Sequence, residues 1–143
     1  MSGSLSKPIS PGFVYIAGPY RAEGKHDYTV YEGIDANISR ARSWAAKLAT
    51  EGIPFFCPHL NSAHFEVIAP YIHEGFWLEM DLVIMSKAWA ILLMPEWETS
   101  SGAQFERQRA YEWGLGVYRA DEFDALVSDW RFAKMQLQVE EEE

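Results

Sequence analysis

Glu106 and Asp81 are the two carboxylates whose surroundings suit chemistry. Glu106 closes the stretch Thr99-Ser100-Ser101-Gly102-Ala103-Gln104-Phe105-Glu106, which follows the apolar run Ala88-Trp89-Ala90-Ile91-Leu92-Leu93-Met94. The apolar run reads as a buried strand, and Phe105, Ala110 and Trp113 then recur at helical spacing. Ser100 or Ser101 is suited to cap that helix, Gly102 lets backbone approach a ligand, and the helix start offers unpaired N–H groups to an anion. Helical side chains lean toward their own N-terminus, so Glu106 points back at the loop and the strand ends. Taken alone, Glu106 reads as a partner of the helix dipole, and a site needs further groups.

The N-terminal part of the chain supplies them. Phe13-Val14-Tyr15-Ile16-Ala17 reads as a strand ended by Gly18-Pro19, which sets Tyr15 in the strand and Gly18, Pro19, Tyr20 and Arg21 in the loop at its end. Asp81 falls within a predicted helix over 73–87, beside Phe76, Met80, Val83 and Ile84. A carboxylate there faces a cavity, or it lies at the surface paired with Lys87 or Arg107. Tyr15 reads alternatively as a core tyrosine and Arg21 as a solvated loop cation. The spacings of His59, His64 and His73 fit no common metal site, so no metal is expected, and His59 is assigned to the pocket lining. Trp97, just before Ser100, is placed beside a bound ligand, with Tyr20, Tyr28 and Tyr31 as further stacking partners. Trp77, Trp89 and Trp113 are assigned to core or interface.

Elements must position these groups. Ile34, Ile38, Ala41, Ala45 and Leu48 form a helical stripe ending at Glu51-Gly52, with Gly52 as the residue after the cap. The segment before it, 18–33, reads as a long polar loop carrying Glu23, Lys25, His26 and Asp27. Residues 53–57 read as a second strand, 58–71 as irregular, 115–118 as a fourth strand, and Asp121 as the cap of a last amphipathic helix. Strands alternating with helices predict a single-domain Rossmann-like (flavodoxin-like) α/β fold, a parallel sheet of about 4–5 strands flanked by helices. The domain is expected over 13–137, after a flexible leader (1–12) and before an acidic tail (138–143) that reads as solvated.

Composition narrows the function. A chain of 143 residues, 48% apolar, buries a core without staples, and six Trp, seven Tyr and eight Phe leave aromatics for a pocket or a subunit interface. A formal net charge of -9 argues against a nucleic-acid polymer as partner. The single Cys57 excludes an internal disulfide and fits a reducing, cytoplasmic compartment. No apolar run approaches the roughly 18 residues of a membrane span, and the N-terminus lacks a signal-peptide pattern. No Walker loop, GxGxxG, CxxC pair or HExxH is present. A crevice gathering Tyr15, the 18–21 loop, Asp81, Ser100 and Glu106 suits cleavage at an anomeric carbon, whose cationic transition state one carboxylate attacks or stabilises.

Val14-Tyr15-Ile16-Ala17-Gly18-Pro19-Tyr20-Arg21, Glu79-Met80-Asp81-Leu82 and Ser100-Ser101-Gly102-Ala103-Gln104-Phe105-Glu106 with Ala110 together resemble the nucleoside 2-deoxyribosyltransferase superfamily, nearest to the 2′-deoxynucleoside 5′-phosphate N-hydrolases. The resemblance spans 13–118. It implies Glu106 as nucleophile on C1′, Asp81 as the acid assisting the base or orienting the sugar, and Tyr15 beside the reacting centre. It further implies Arg21 and Ser100 as holders of a 5′-phosphate, no cofactor, and a homodimer or higher homo-oligomer. Gln108, Arg107, Arg109 and Pro19 depart from the family pattern, the last within the phosphate loop. The expected activity is hydrolysis of the base–sugar bond of a (2′-deoxy)nucleoside 5′-monophosphate. The alternatives are base exchange by a deoxyribosyltransferase and a nucleotide-binding sensor without turnover.

Overall fold

The computed structural model describes residues 6–21 and 27–142, with backbone alone for residues 27–31. The expected roles of Glu23, Lys25 and His26, of the Tyr28 and Tyr31 side chains, and of the first leader residues fall outside what is described.

Strand β1 (Val14–Ala17) is fully buried and lies at the centre of the sheet. Helix α1 (Asp27–Thr50) follows, and its stripe Ile34, Ile38, Ala41, Ala45 and Leu48 is buried as its spacing requires. α1 starts ahead of that stripe, so Gly33, read as a loop residue, is helical, and the expected long loop is correspondingly shorter. Gly52 (φ 76°) ends the helix. Its N–H donates to the Ala49 carbonyl (3.0 Å) and that of Ile53 to the Leu48 carbonyl (3.0 Å), a Schellman closure.

β2 shrinks to Phe55–Phe56, because Pro54 precedes it on an edge where it pairs with β1 alone. The segment expected to be irregular holds two single-turn helices, α2 (Pro58–Asn61) and α3 (Phe65–Ile68), divided by His64 in the left-handed region at φ 58°. α4 (Glu74–Met85), β3 (Ala90–Leu93), α5 (Ser101–Glu112), β4 (Gly116–Arg119) and α6 (Phe123–Glu142) complete the chain. Two ends differ from expectation. Glu122, not Asp121, meets the backbone before α6, accepting the Arg119 N–H at 3.0 Å. The acidic residues Glu140 to Glu142 continue α6 as exposed helical turns instead of forming a tail.

All four strands are parallel in the order β2-β1-β3-β4, so the fold is a single-domain Rossmann-like α/β fold at the lower end of the expected strand number. Alternation along β1 splits the core. Val14 and Ile16 pack with Leu48, Leu126 and Trp130 on the face covered by α1 and α6. Tyr15 and Ala17 pack with Met85, Leu93 and Ala110 on the face covered by α4 and α5. The winding direction of the sheet reverses between β1 and β3. A crevice opens beyond the carboxyl ends of these two strands, the place where open α/β sheets bind ligands.

Candidate active site

A cavity of about 670 Å³ occupies that crevice. Its floor comes from α5. Ser100 is the cap, its hydroxyl accepting the Ala103 N–H at 3.1 Å, and Ser100, Ser101, Gly102 and Glu106 all line the cavity. Glu106 is only 8% exposed, and the Tyr15 hydroxyl donates to its Oε2. Tyr15 itself is sealed beneath the cavity at 0% exposure, so it reaches the site through Glu106 and does not line the cavity. Its position follows from strand alternation, which turns Tyr15 to the α5 side.

Burial dominates the electrostatics. It raises the Glu106 carboxyl to about 8; the Tyr15 hydrogen bond works against the rise and the nearby Asp81 charge adds to it. Asp81 lines the cavity from α4 and is raised by burial to about 6, and its Oδ1 has no hydrogen-bond partner among the described residues. The surface pairing with Lys87 or Arg107 is not what forms. Among the described residues no ion pair joins either to Asp81, and Arg107 instead lies 5.3 Å over the Trp97 ring. Tyr15 is pushed well above its ordinary value by burial first and by Glu106 and Asp81 next, so it stays a donor.

The loop after β1 forms the opposite wall through Gly18, Pro19, Tyr20 and Arg21. A side chain at Gly18 would meet Met94 at 2.7 Å, so glycine is required for the loop to pass the end of β3. His59 is 3% exposed, lines the cavity, and lies with Nε2 2.8 Å from the Pro19 carbonyl. Burial lowers its pKa, so the neutral ring donates from Nε2 to that carbonyl and leaves an acceptor Nδ1 buried without a hydrogen-bond partner among the described residues.

Trp97 is the correction. It packs into the α4/α5-side core and does not line the cavity. The aromatic wall is instead Trp77 with Phe65, their rings perpendicular at 5.2 Å. Several polar residues escaped the sequence reading, Glu74 at the start of α4 among them. Asn37 on α1 is buried and donates to the Tyr20 and Arg21 carbonyls at 3.0 and 3.3 Å, fixing the loop. Its signal was a polar residue three positions after Ile34, in an otherwise apolar stripe. Glu66 on α3 accepts the Tyr20 hydroxyl at 2.9 Å and joins the lining; nothing in the local sequence marked it.

Chemically, the floor presents a shielded carboxyl steadied by a phenol, with a second carboxyl facing the same space. That set can attack an electrophilic carbon and manage a proton. Among the described residues no cluster of three His, Cys, Asp or Glu is arranged to hold a metal ion, and no described helix is long and apolar enough to cross a membrane. Comparison with protein-family models and with curated protein sequences gave no match.

Proposed function

We propose that this protein is a nucleoside or nucleotide N-glycosidase that hydrolyses the base–sugar bond of a (2′-deoxy)nucleoside or its 5′-monophosphate. The observation that carries the reading is the Tyr15–Glu106–Asp81 group at the sheet's ligand crevice, with an aromatic wall across from it. Glu106, protonated at rest, passes its proton to Asp81, and the resulting carboxylate attacks C1′ as the C1′–N bond breaks. The bonding pair leaves with the base, which takes a proton from the Asp81 carboxyl. Water then adds to C1′ of the glycosyl ester, giving its proton to Asp81 and releasing Glu106. Tyr15 holds the attacking oxygen's partner and disperses its charge. The base stacks against Trp77 and Phe65, and the 5′ end of the sugar lies toward Arg21 and the capped start of α5.

Base exchange is the second reading. The broad aromatic wall favours it, because a second base can stack there after the first departs. A homo-oligomer in a cytoplasmic setting accompanies both readings. Phe76 and Val83 of α4, at 51% and 61% exposure, are apolar surface that a second copy would cover, and the one thiol is buried and free.

The test is free-base release from nucleosides and their 5′-monophosphates, followed by chromatography, with Glu106→Gln in parallel. Release that depends on Glu106 supports the reading. Exchange products that appear only when a second base is added move the assignment to transfer. Absence of both products across all substrates rejects it and leaves a binding module.

A further inference from the structure

The mouth of the cavity carries an electrostatic feature that the chemistry of the floor does not use. Among the described lining residues Arg21 is the only Lys or Arg, whereas Glu66, Glu74, Asp81 and Glu106 all bring carboxyl groups. Arg21 is already engaged, its Nη2 lying 3.0 Å from Glu74 Oε1. Glu74 is the first residue of α4. The His73 ring caps that helix, with Nδ1 accepting the Gly75 N–H at 2.9 Å, so the carboxylate sits in the turn where a helix dipole favours it.

We infer that Glu74 is a specificity-determining residue that occupies Arg21 and disfavours substrates carrying a 5′-phosphate; the inference rests on the nucleoside-cleavage reading. Arg21 and Glu74 side chains are 64% and 73% exposed, so their pairing is weak and reversible. An uncharged nucleoside enters without disturbing it. A 5′-phosphate that reaches for Arg21 has to displace the Glu74 carboxylate, which then stays tethered at the rim facing a dianion. The cost is like-charge repulsion, with the carboxylate of Glu66 on the same rim. Arg21 therefore serves a phosphate only to the extent that Glu74 lets it go.

The experiment compares a nucleoside with its own 5′-monophosphate in wild type, Glu74→Gln and Glu74→Asp. Base release gives kcat/KM, and calorimetric titration of the same ligands gives Kd. In Glu74→Gln the preference ratio moves toward the monophosphate by about tenfold at low ionic strength, through KM and Kd, from one unit charge removed near a dianion in exposed surroundings. Added salt shrinks the shift, as screening requires. Glu74→Asp, which keeps the charge, stays nearer to wild type than Glu74→Gln does. A ratio that differs by less than twofold between wild type and Glu74→Gln overturns the inference, as does an equal shift in Glu74→Asp. If no base is released but the ligands bind, the hydrolase reading fails while the Kd ratio still decides the role of Glu74. If nothing binds, both fall together.

Discussion

The two walls of the cavity are built by different means. The inner wall is strand ends and a twelve-residue helix: Glu106 at 8% exposure over the sealed Tyr15, and a serine cap satisfying the first turn of α5. The outer wall, residues 58–78, is two single-turn helices, a left-handed His64 and the start of α4, with Ile68 and Tyr71 at 72% and 85% exposure. The inner wall is over-determined by sheet and core. The outer one is held by a few polar links, chiefly Tyr20 between Glu66 and the His64 N–H. The proposed attacking group sits on the first, and the aromatic rings proposed to stack on the base, Trp77 and Phe65, sit on the second.

The sharpest way to test this division is to change one wall at a time. Glu106→Gln should lower base release by about 10³-fold or more while binding persists, since only the attacking group is lost. Residual turnover within tenfold of wild type would remove Glu106 from the chemistry. On the scaffold side, Leu92→Ala, in the fully buried β3, should cost about 3 kcal/mol in denaturant unfolding. Phe76→Ala, half exposed on α4, should cost well under 1 kcal/mol in the isolated chain, and a larger loss there would mean that the outer wall is packed in solution.

The pH dependence follows from the raised carboxyls. Glu106 at about 8 and Asp81 at about 6 are protonated more readily in the folded protein than in the unfolded chain. Their protonated forms therefore favour folding. That contribution is complete below the ordinary carboxylate range and is lost as pH rises toward about 8. The melting temperature should fall across that window, and Glu106→Gln should flatten the fall; parallel profiles for the two proteins would refute it. Smaller again is Trp77→Ala, expected to raise KM by about tenfold with little change in kcat, because stacking acts on ground and transition states alike. A kcat effect larger than the KM effect would transfer Trp77 to the inner wall.

The same division governs what can be read from sequence. Glu106, Ser100 and the 18–21 loop were legible because a strand, a glycine turn and a helix cap each leave a local signature. Asp81 stands out as a carboxylate among apolar neighbours, but its cavity and surface readings separate only in the folded chain. Trp97 was misplaced because proximity in sequence to Ser100 says nothing of rotation, and the 3₁₀ turn over Trp97–Thr99 accompanies a ring packed into the core. Trp77 reads as core or interface in the sequence, and α4 is apolar on nearly every side, so no stripe marks its cavity face. Glu66 was invisible because it depends on how two single-turn helices settle on Tyr20, a long-range contact.

The burial of Glu106 at 8% exposure bears on the order of events. With its carboxyl raised to about 8, Glu106 favours its protonated form at neutral pH, and on the proposed reading it must lose that proton before it attacks. On the proposed reading that proton has a destination in Asp81, the acid that serves the leaving base. Ionisation of the proposed nucleophile and supply of the proposed acid are thereby one proton transfer. Heats of association measured in buffers of different ionisation enthalpy should then agree, and a divergence would count protons that leave the site.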